Sequence, residues 1–279
     1  MELIIFDNHM HLRRNGRFID AVKDFKSEGG THFVLCQYPM PDLVILEKSY
    51  KKCYEITLKM ADVIREELDI YVFVTVGPYP VDFIKFKEKF GRNTAISLMK
   101  KGIDEAAELC KENKCIGIGE IGRPHFPVDK SIIDDSNDIL FYGMQRARDV
   151  DSAVVLHTES TTPEQCRFLS EMGKKVGLPV HRIVKHYSPP LIYEKENFGL
   201  MPSVLASDKN VIAAVKKGTR FMLETDYIDD INRPGAVLGP KTVPKKTLKL
   251  FREGILNEKQ IYTIHKRNPE KTYGIDLYQ

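Results

Sequence analysis

Leu3-Ile4-Ile5-Phe6-Asp7-Asn8-His9-Met10-His11 runs from four apolar residues straight into a polar segment with two histidines. A short apolar run ended by polar residues is the pattern of a strand buried on both faces of a parallel sheet. Side chains alternate along a strand, so His9 and His11 point the same way. In a parallel barrel both imidazoles would converge on the mouth formed by the C-terminal strand ends, where such barrels build active sites. A His-x-His pair alone decides nothing, because a histidine at a strand end is more often a hydrogen-bonded structural residue. Its meaning depends on what the other strand ends carry.

Outward from that segment, strand and helix patterns alternate. Residues 17–28 read as a helix stopped by Gly29-Gly30, and 31–36 as a second strand. After a loop at Pro39, Pro41 and Asp42, the spacing of Leu46, Tyr50, Tyr54, Leu58, Ala61 and Ile64 predicts one helix over 43–67. Residues 70–77 are a β-branched and aromatic third strand. Two helices broken near Gly91 fill 81–113, and 115–120 form the fourth strand. Gly117, Gly119 and Gly122 there imply close backbone approach. Further strands are expected at 153–157, 182–186, 198–204 and 221–226, with helices at 137–149, 163–175 and 208–217. Two helices around Asn257 follow from 243 onward. Strands alternating with helices in this number fit a (β/α)8 TIM barrel. No repeat or composition shift interrupts the pattern, so one domain over residues 1–279 is expected.

The bulk numbers agree. At 279 residues, 42% hydrophobic and 29% charged, the chain has ordinary globular composition. No apolar run approaches the ~20 residues of a membrane span. Met1-Glu2 leads straight into a strand without a basic and then apolar leader, so a cytoplasmic protein is expected. The five cysteines are odd in number and include no Cys-x-x-Cys, which points to buried thiols rather than a disulfide framework or zinc knuckle. A net charge of +3 does not by itself imply nucleic acid.

Ligand-type residues recur at predicted strand ends: His9 and His11 on the first, Glu120 on the fourth, His157 on the fifth, His186 on the sixth and Asp226 on the eighth. Each follows an apolar run, where burying such a side chain is otherwise costly. Four imidazoles and two carboxylates are a typical set for one or two divalent ions. Glu120 is expected to bridge, with His9, His11 and Asp226 on one ion and His157 and His186 on the other. A shared water of lowered pKa is the expected nucleophile, and Asp226 is placed to accept its proton and pass it to a leaving group. Asp7 and Glu224 share parity with the ligands and are expected to orient imidazoles.

The motifs Asp7-x-His9-x-His11-Leu12, Gly119-Glu120-Ile121-Gly122, Leu156-His157, His186 and Glu224-Thr225-Asp226 resemble, in order and rough spacing, those of the TatD-related hydrolases of the amidohydrolase superfamily. The tail Asn268-Pro269-Glu270-Lys271-Thr272-Tyr273-Gly274 is similar to that family's closing segment. The resemblance implies a TIM barrel, a dinuclear divalent-metal site and hydrolysis, in several relatives of phosphodiester bonds in DNA. The chain departs from the family pattern at Arg123-Pro124-His125-Phe126, at His186-Tyr187-Ser188-Pro189-Pro190 and over 227–243. It looks like a divergent branch that keeps the metal shell and changes the substrate loops.

Arg123, His125 and Arg233 are candidate substrate contacts, through guanidinium forks or an imidazole on loops at the active face; salt bridges to loop carboxylates such as Asp229 and Asp230 are the competing reading for the arginines, and a solvated loop histidine is the competing reading for His125. Glu159 reads as part of a helix start, and His32, His181 and His265 as structural. The basic run Lys241, Lys245, Lys246, Lys249 and Arg252 reads as a solvated helix face; contact with a phosphate backbone is the competing reading, with no aromatic platform for stacking bases beside it. The expected function is a metal-dependent hydrolase of a phosphoester, small-molecule or nucleic-acid, using one or two divalent ions. Histidine-rich ligation suits zinc, and magnesium or manganese are the other admissible ions. Hydrolysis of an amide, lactone or other carboxyl ester is the second expectation, and a non-catalytic metal- or nucleic-acid-binding protein the third. No membrane contact and no obligate protein partner is inferred.

Overall fold

The computed structural model describes residues 3–278. Its strands are β1 (Phe6–His11), β2 (His32–Cys36), β3 (Tyr71–Val76), β4 (Gly117–Gly122), β5 (Ala153–His157), β6 (Ile183–Ser188), β7 (Met201–Leu205), β8 (Met222–Glu224) and β9 (Tyr227–Ile228). All pair in parallel, in the order β8-β7-β6-β5-β4-β3-β2-β1-β9, with helices between them. This is the α/β TIM-barrel fold. The eighth strand, expected over 221–226, stops at Glu224 on β7, and the short β9 beyond it pairs with β1, so the two join the ends of the sheet. Thr225 and Asp226 lie between them, and Asp226 takes a left-handed backbone (φ 48°) that no strand accommodates.

Asp7 of β1 occupies this interruption. Its carboxylate accepts the Thr225 backbone N–H (3.0 Å) and hydroxyl (2.7 Å), together with the His9 N–H (3.1 Å). The strand closes on a side chain where the ladder cannot. The β1–β2 register also shifts between Asp7 and Met10. That irregularity lets Asn8 reach Ser203 of β7 while His9 still reaches the barrel mouth. Close approach at the glycines is real: a Cβ on Gly119 would meet Val155 Cβ at 2.6 Å, and one on Gly122 the His157 carbonyl oxygen at 2.1 Å.

Helix boundaries differ from expectation in two places, each for a tertiary reason. The helix expected over 43–67 is two, Pro41–Glu47 and Lys51–Glu67, parted by left-handed Lys48. Glu105, from the helix Arg92–Lys111, accepts Ser49 Oγ–H (2.7 Å) and the Tyr50 N–H (2.9 Å), satisfying the start of the second helix from outside. The helix expected from 137 starts at Lys130. Its polar opening turns are held because buried Asp135 forms a forked pair with Arg92 at 2.6–3.0 Å.

The C-terminal helices pack back on the barrel. Asn268 donates to the carbonyls of Thr219 (2.7 Å) and Phe221 (2.8 Å) just before β8. His32 and His265 prove structural: His32 Nε2 faces the Leu277 carbonyl at 2.8 Å, and His265 Nδ1 accepts the Phe6 N–H at 3.0 Å. No helix among the described residues is long and apolar enough to cross a membrane.

Burial lowers His265 from 6.5 to about 4. The unfolded imidazole takes up a proton near 6.5 and the folded one resists until about 4, so protons in that window favour the unfolded chain. Stability should therefore fall as pH drops from 6.5 toward 4. Urea denaturation of metal-free protein across this range checks it, and His265→Gln should flatten part of the slope; an unchanged slope would remove this account.

Candidate metal centre

The six candidate ligand residues lie close together at the barrel mouth. Glu120 is central: its Oε1 is 2.9 Å from His157 Nδ1, 3.4 Å from His186 Nε2 and 3.8 Å from His9 Nε2, and its Oε2 is 3.5 Å from His11 Nε2. Asp226 Oδ1 stands 4.0 Å from His9 Nε2 and 3.9 Å from His11 Nε2. Two overlapping groups have ligand atoms all within 4.8 Å: His9, His11 and Asp226, and His9, Glu120 and His186. His9 belongs to both, whereas the expected division kept it to one ion. His157 falls in neither group and touches the centre through Glu120.

The donor chemistry fits a cation. His11 Nδ1 faces the backbone carbonyls of Cys36 (3.2 Å) and Gln37 (3.1 Å), and both of these can only accept. Its proton therefore sits on Nδ1, and the Nε2 lone pair points at two carboxylates and at His9 Nε2 3.0 Å away. That lone pair meets His9 Nε2 as its hydrogen-bond partner, and a positive ion between it and the carboxylate oxygens at 3.5 and 3.9 Å would satisfy all of these groups together. Burial and neighbouring His9 push His11 down to about 3, which keeps it in ligand form.

Burial would raise the Glu120 carboxyl, but the imidazoles of His157, His186 and His9 hold it well below its ordinary range. Burial and His9 lower His186 to about 4. Burial also opposes a proton on His9, yet the Cys36 sulfur and Glu120 outweigh it and push His9 well above its usual value. Asp226 is raised well above the carboxylate range by burial, with Glu224 and Glu120 adding to the effect against His9. The sulfur beside His9 was not foreseen from sequence: Cys36 Sγ lies 3.2 Å from His9 Nδ1 and receives the Thr75 hydroxyl at 3.2 Å.

The two orienting residues behave differently. Glu224 stands 3.1 Å from His186 Nδ1. Asp7 touches no imidazole; it holds the barrel closed through Thr225, because the strand irregularity turns it toward β8. Behind Glu224 runs a buried chain that sequence reasoning missed. Tyr273 OH donates to Asn8 Oδ1 (2.9 Å), Asn8 Nδ2 to Ser203 Oγ (2.9 Å), and Ser203 Oγ to Glu224 Oε2 (2.5 Å), while the Tyr187 N–H donates to Glu224 Oε1 (2.6 Å). Only Ser203, polar within an apolar strand, carried a local signal; Asn8 is hidden between Asp7 and His9.

A cleft of about 610 Å³ opens over the centre, and it is lined by His125, Arg233 and three tyrosines besides the ligand residues. His125 Nδ1 reaches His157 Nε2 at 2.9 Å. Arg233 lies at the rim, paired with Asp230 at 2.9 Å. Arg123 corrects its expected role: it is buried, does not line the cleft, and forks onto Glu159 at 2.5 and 3.2 Å. Glu159 also accepts Gln165 Nε2 (2.8 Å), which ties the pair to the start of the helix Pro163–Val176. Asp229 is a scaffold residue, accepting the backbone N–H groups of Arg13, Arg17 and Phe18. In the basic run, Lys241 pairs with Asp24, Lys245 with Glu28, Lys246 with Asp208 and Lys249 with Glu253.

A parallel barrel whose strand ends bring histidines and carboxylates within reach of one another defines a barrel protein with a candidate metal centre. More particularly, residues 6–274 match the TatD-related DNase family, and the chain belongs to that family of metal-dependent hydrolases. An uncharacterised protein of Methanocaldococcus jannaschii is 37% identical over 278 residues, covering 99% of this chain and 97% of the relative. Among solved structures, the fold is shared with the phosphotriesterase homology protein of Escherichia coli, solved with phosphate in its active site (TM-score 0.62, 12% identity, 98% of this chain and 99% of that one). It is also shared with a phosphotriesterase-like lactonase of Deinococcus radiodurans (TM-score 0.63, 13% identity, 98% and 96%).

Ser203→Ala removes one donor from Glu224 without touching a candidate ligand. Partners of this kind typically affect metal affinity by about 10–100-fold. We expect divalent-ion affinity, measured by competition with a chelator, to fall about tenfold while the thermal transition of the metal-free protein changes little. Equal affinity would show that the buried chain does not set the site.

Proposed function

We propose that the chain hydrolyses phosphoester bonds using one or two divalent ions, zinc fitting the histidine-rich set best and magnesium or manganese being admissible. The observation that carries this reading is the lone pair of His11 facing the carboxylates of Glu120 and Asp226 within 4 Å. His9, His11 and Asp226 would hold one ion, and Glu120, His157 and His186 would complete the site. When bound, the ions lower the pKa of water and polarise the ester oxygen. Glu120 spans the centre, one oxygen toward His157 and His186 and the other toward His11. Asp226, held at the cleft by its left-handed backbone, accepts the proton lost by water at a carboxylate oxygen and returns it to the leaving group. His125 and Arg233 line the cleft, where they contact substrate oxygens. A carboxyl ester or lactone is the second reading, favoured by one observation: among the described residues lining the cleft, Arg233 is the one lysine or arginine. We read residues 1–279 as one catalytic domain of a cytoplasmic enzyme without an obligate protein partner.

Elemental analysis of purified protein should find one or two divalent ions per chain, and fewer in Glu120→Ala. Asp226→Asn should lower kcat by about 10²-fold or more at saturating metal. Chelation should abolish turnover of phosphoesters and added metal restore it. Absence of bound ion after reconstitution with zinc, manganese and magnesium would remove the reading, and full activity in Asp226→Asn would remove the role given to that residue.

A further inference from the structure

Three tyrosines wall the cleft, and each stands against a different candidate ligand histidine. Tyr38, just after β2, meets the His11 ring edge-on at 6.4 Å between centroids. Tyr79, after β3, meets His157 at 4.8 Å, and Tyr187, within β6, meets His186 at 5.9 Å. The three come from separate parts of the chain and surround one space, joined by Pro39 and Ile228.

Tyr187 is the most informative of them. Its backbone is left-handed (φ 51°), a conformation that a bulky residue rarely adopts. The Tyr187 N–H donated to Glu224 holds it there. The residue so placed is 48% exposed, so its position contributes little to the core. Strain of this kind persists where the surroundings impose it, commonly at ligand-binding positions.

Free positive charge is scarce around the same space. Arg233 shares Asp230 with Arg13, Arg123 is shut behind Glu159, and Lys241, Lys245, Lys246 and Lys249 of the basic run meet carboxylates. A polynucleotide backbone is held by a track of cations, and single strands by aromatic platforms in series. Rings arranged around one cleft of about 610 Å³ instead enclose a single flat group.

We propose that the cleft selects small esters carrying one aryl or similarly flat apolar group at the reacting centre, with Tyr187 and Tyr38 as the residues that determine this specificity. The proposal rests on the hydrolase reading for its chemistry and on the tyrosine wall for its selectivity. Calorimetric titration of the zinc-reconstituted full chain with phenylphosphonate and methylphosphonate separates the two. Phenylphosphonate should bind about tenfold tighter, as a well-placed aromatic contact provides. Tyr187→Phe should keep that ratio, while Tyr187→Ala and Tyr38→Ala bring it toward one. A ratio near one in the wild type, a ratio unmoved in both alanine variants, or binding of neither phosphonate overturns the proposal. So does a thymidine oligonucleotide that displaces phenylphosphonate at lower concentration than thymidine monophosphate does. Turnover of methyl p-nitrophenyl phosphate is followed in parallel: its absence, with the phenyl preference intact, sinks the hydrolase reading and leaves the aryl-selective wall standing.

Discussion

The carboxylate of Asp7, placed where β8 breaks off and β9 begins, is the contact on which the site depends. The candidate ligands span residues 9 to 226, and they meet only if the first and last strands are joined. That join is thin, since β9 has two residues and pairs with β1 only at Met10 and His11. Asp7 adds two hydrogen bonds to Thr225 across 218 positions of sequence. Hydrogen bonds to a buried carboxylate contribute about 1.5–3 kcal/mol each, and a left-handed non-glycine residue costs roughly 1–3 kcal/mol. The two contacts therefore offset the backbone strain at Asp226. Barrel closure and presentation of Asp226 to the cleft are one structural event.

The candidate ligands are fixed from behind by a different device. Glu224 faces His186 with one oxygen and is reached through Ser203 and Asn8 from Tyr273, near the C-terminus. Every member is buried, so each donor left unpaired would cost about 1–3 kcal/mol. A network of this sort has few alternative arrangements. The terminal helix thus belongs to the site although it carries no ligand. Asn268 serves it by binding the carbonyls of Thr219 and Phe221, which sets where β8 starts.

What the sequence disclosed follows the range over which its signals act. Apolar runs ending in histidine, glutamate or aspartate announced the strands and the cluster of candidate ligands, because alternation and burial are local properties. The break at Lys48 was illegible, since the group that starts the following helix, Glu105, lies more than fifty residues away. The opening turns of the helix Lys130–Asp149 read as loop because Asp135 looks like a solvated acid until Arg92 meets it. Arg123 sits beside Glu120 in sequence and suggested a substrate contact, yet its partner Glu159 comes from the β5 end and turns it inward. Asn8, Ser203 and Tyr273 are unremarkable one by one. Their role appears only when contacts across 195 and 265 positions are known.

Ligands and cleft walls are also built on different supports. His9, His11, Glu120 and His157 are aimed by barrel strands, whose directions are tied to their neighbours through the sheet. Tyr38, Tyr79, His125 and Arg233 sit on connections beyond strand ends, where a side chain can change without moving the sheet. Tyr187 is the exception, a strand residue thrown outward by a left-handed backbone and tethered to Glu224, the same carboxylate that faces His186. A change of side chain at 187 keeps its N–H and so keeps Glu224 in place, while altering what the cleft admits. The chemistry of the centre and the shape of its mouth therefore meet at one residue, and they are separable there because one uses the backbone and the other the side chain.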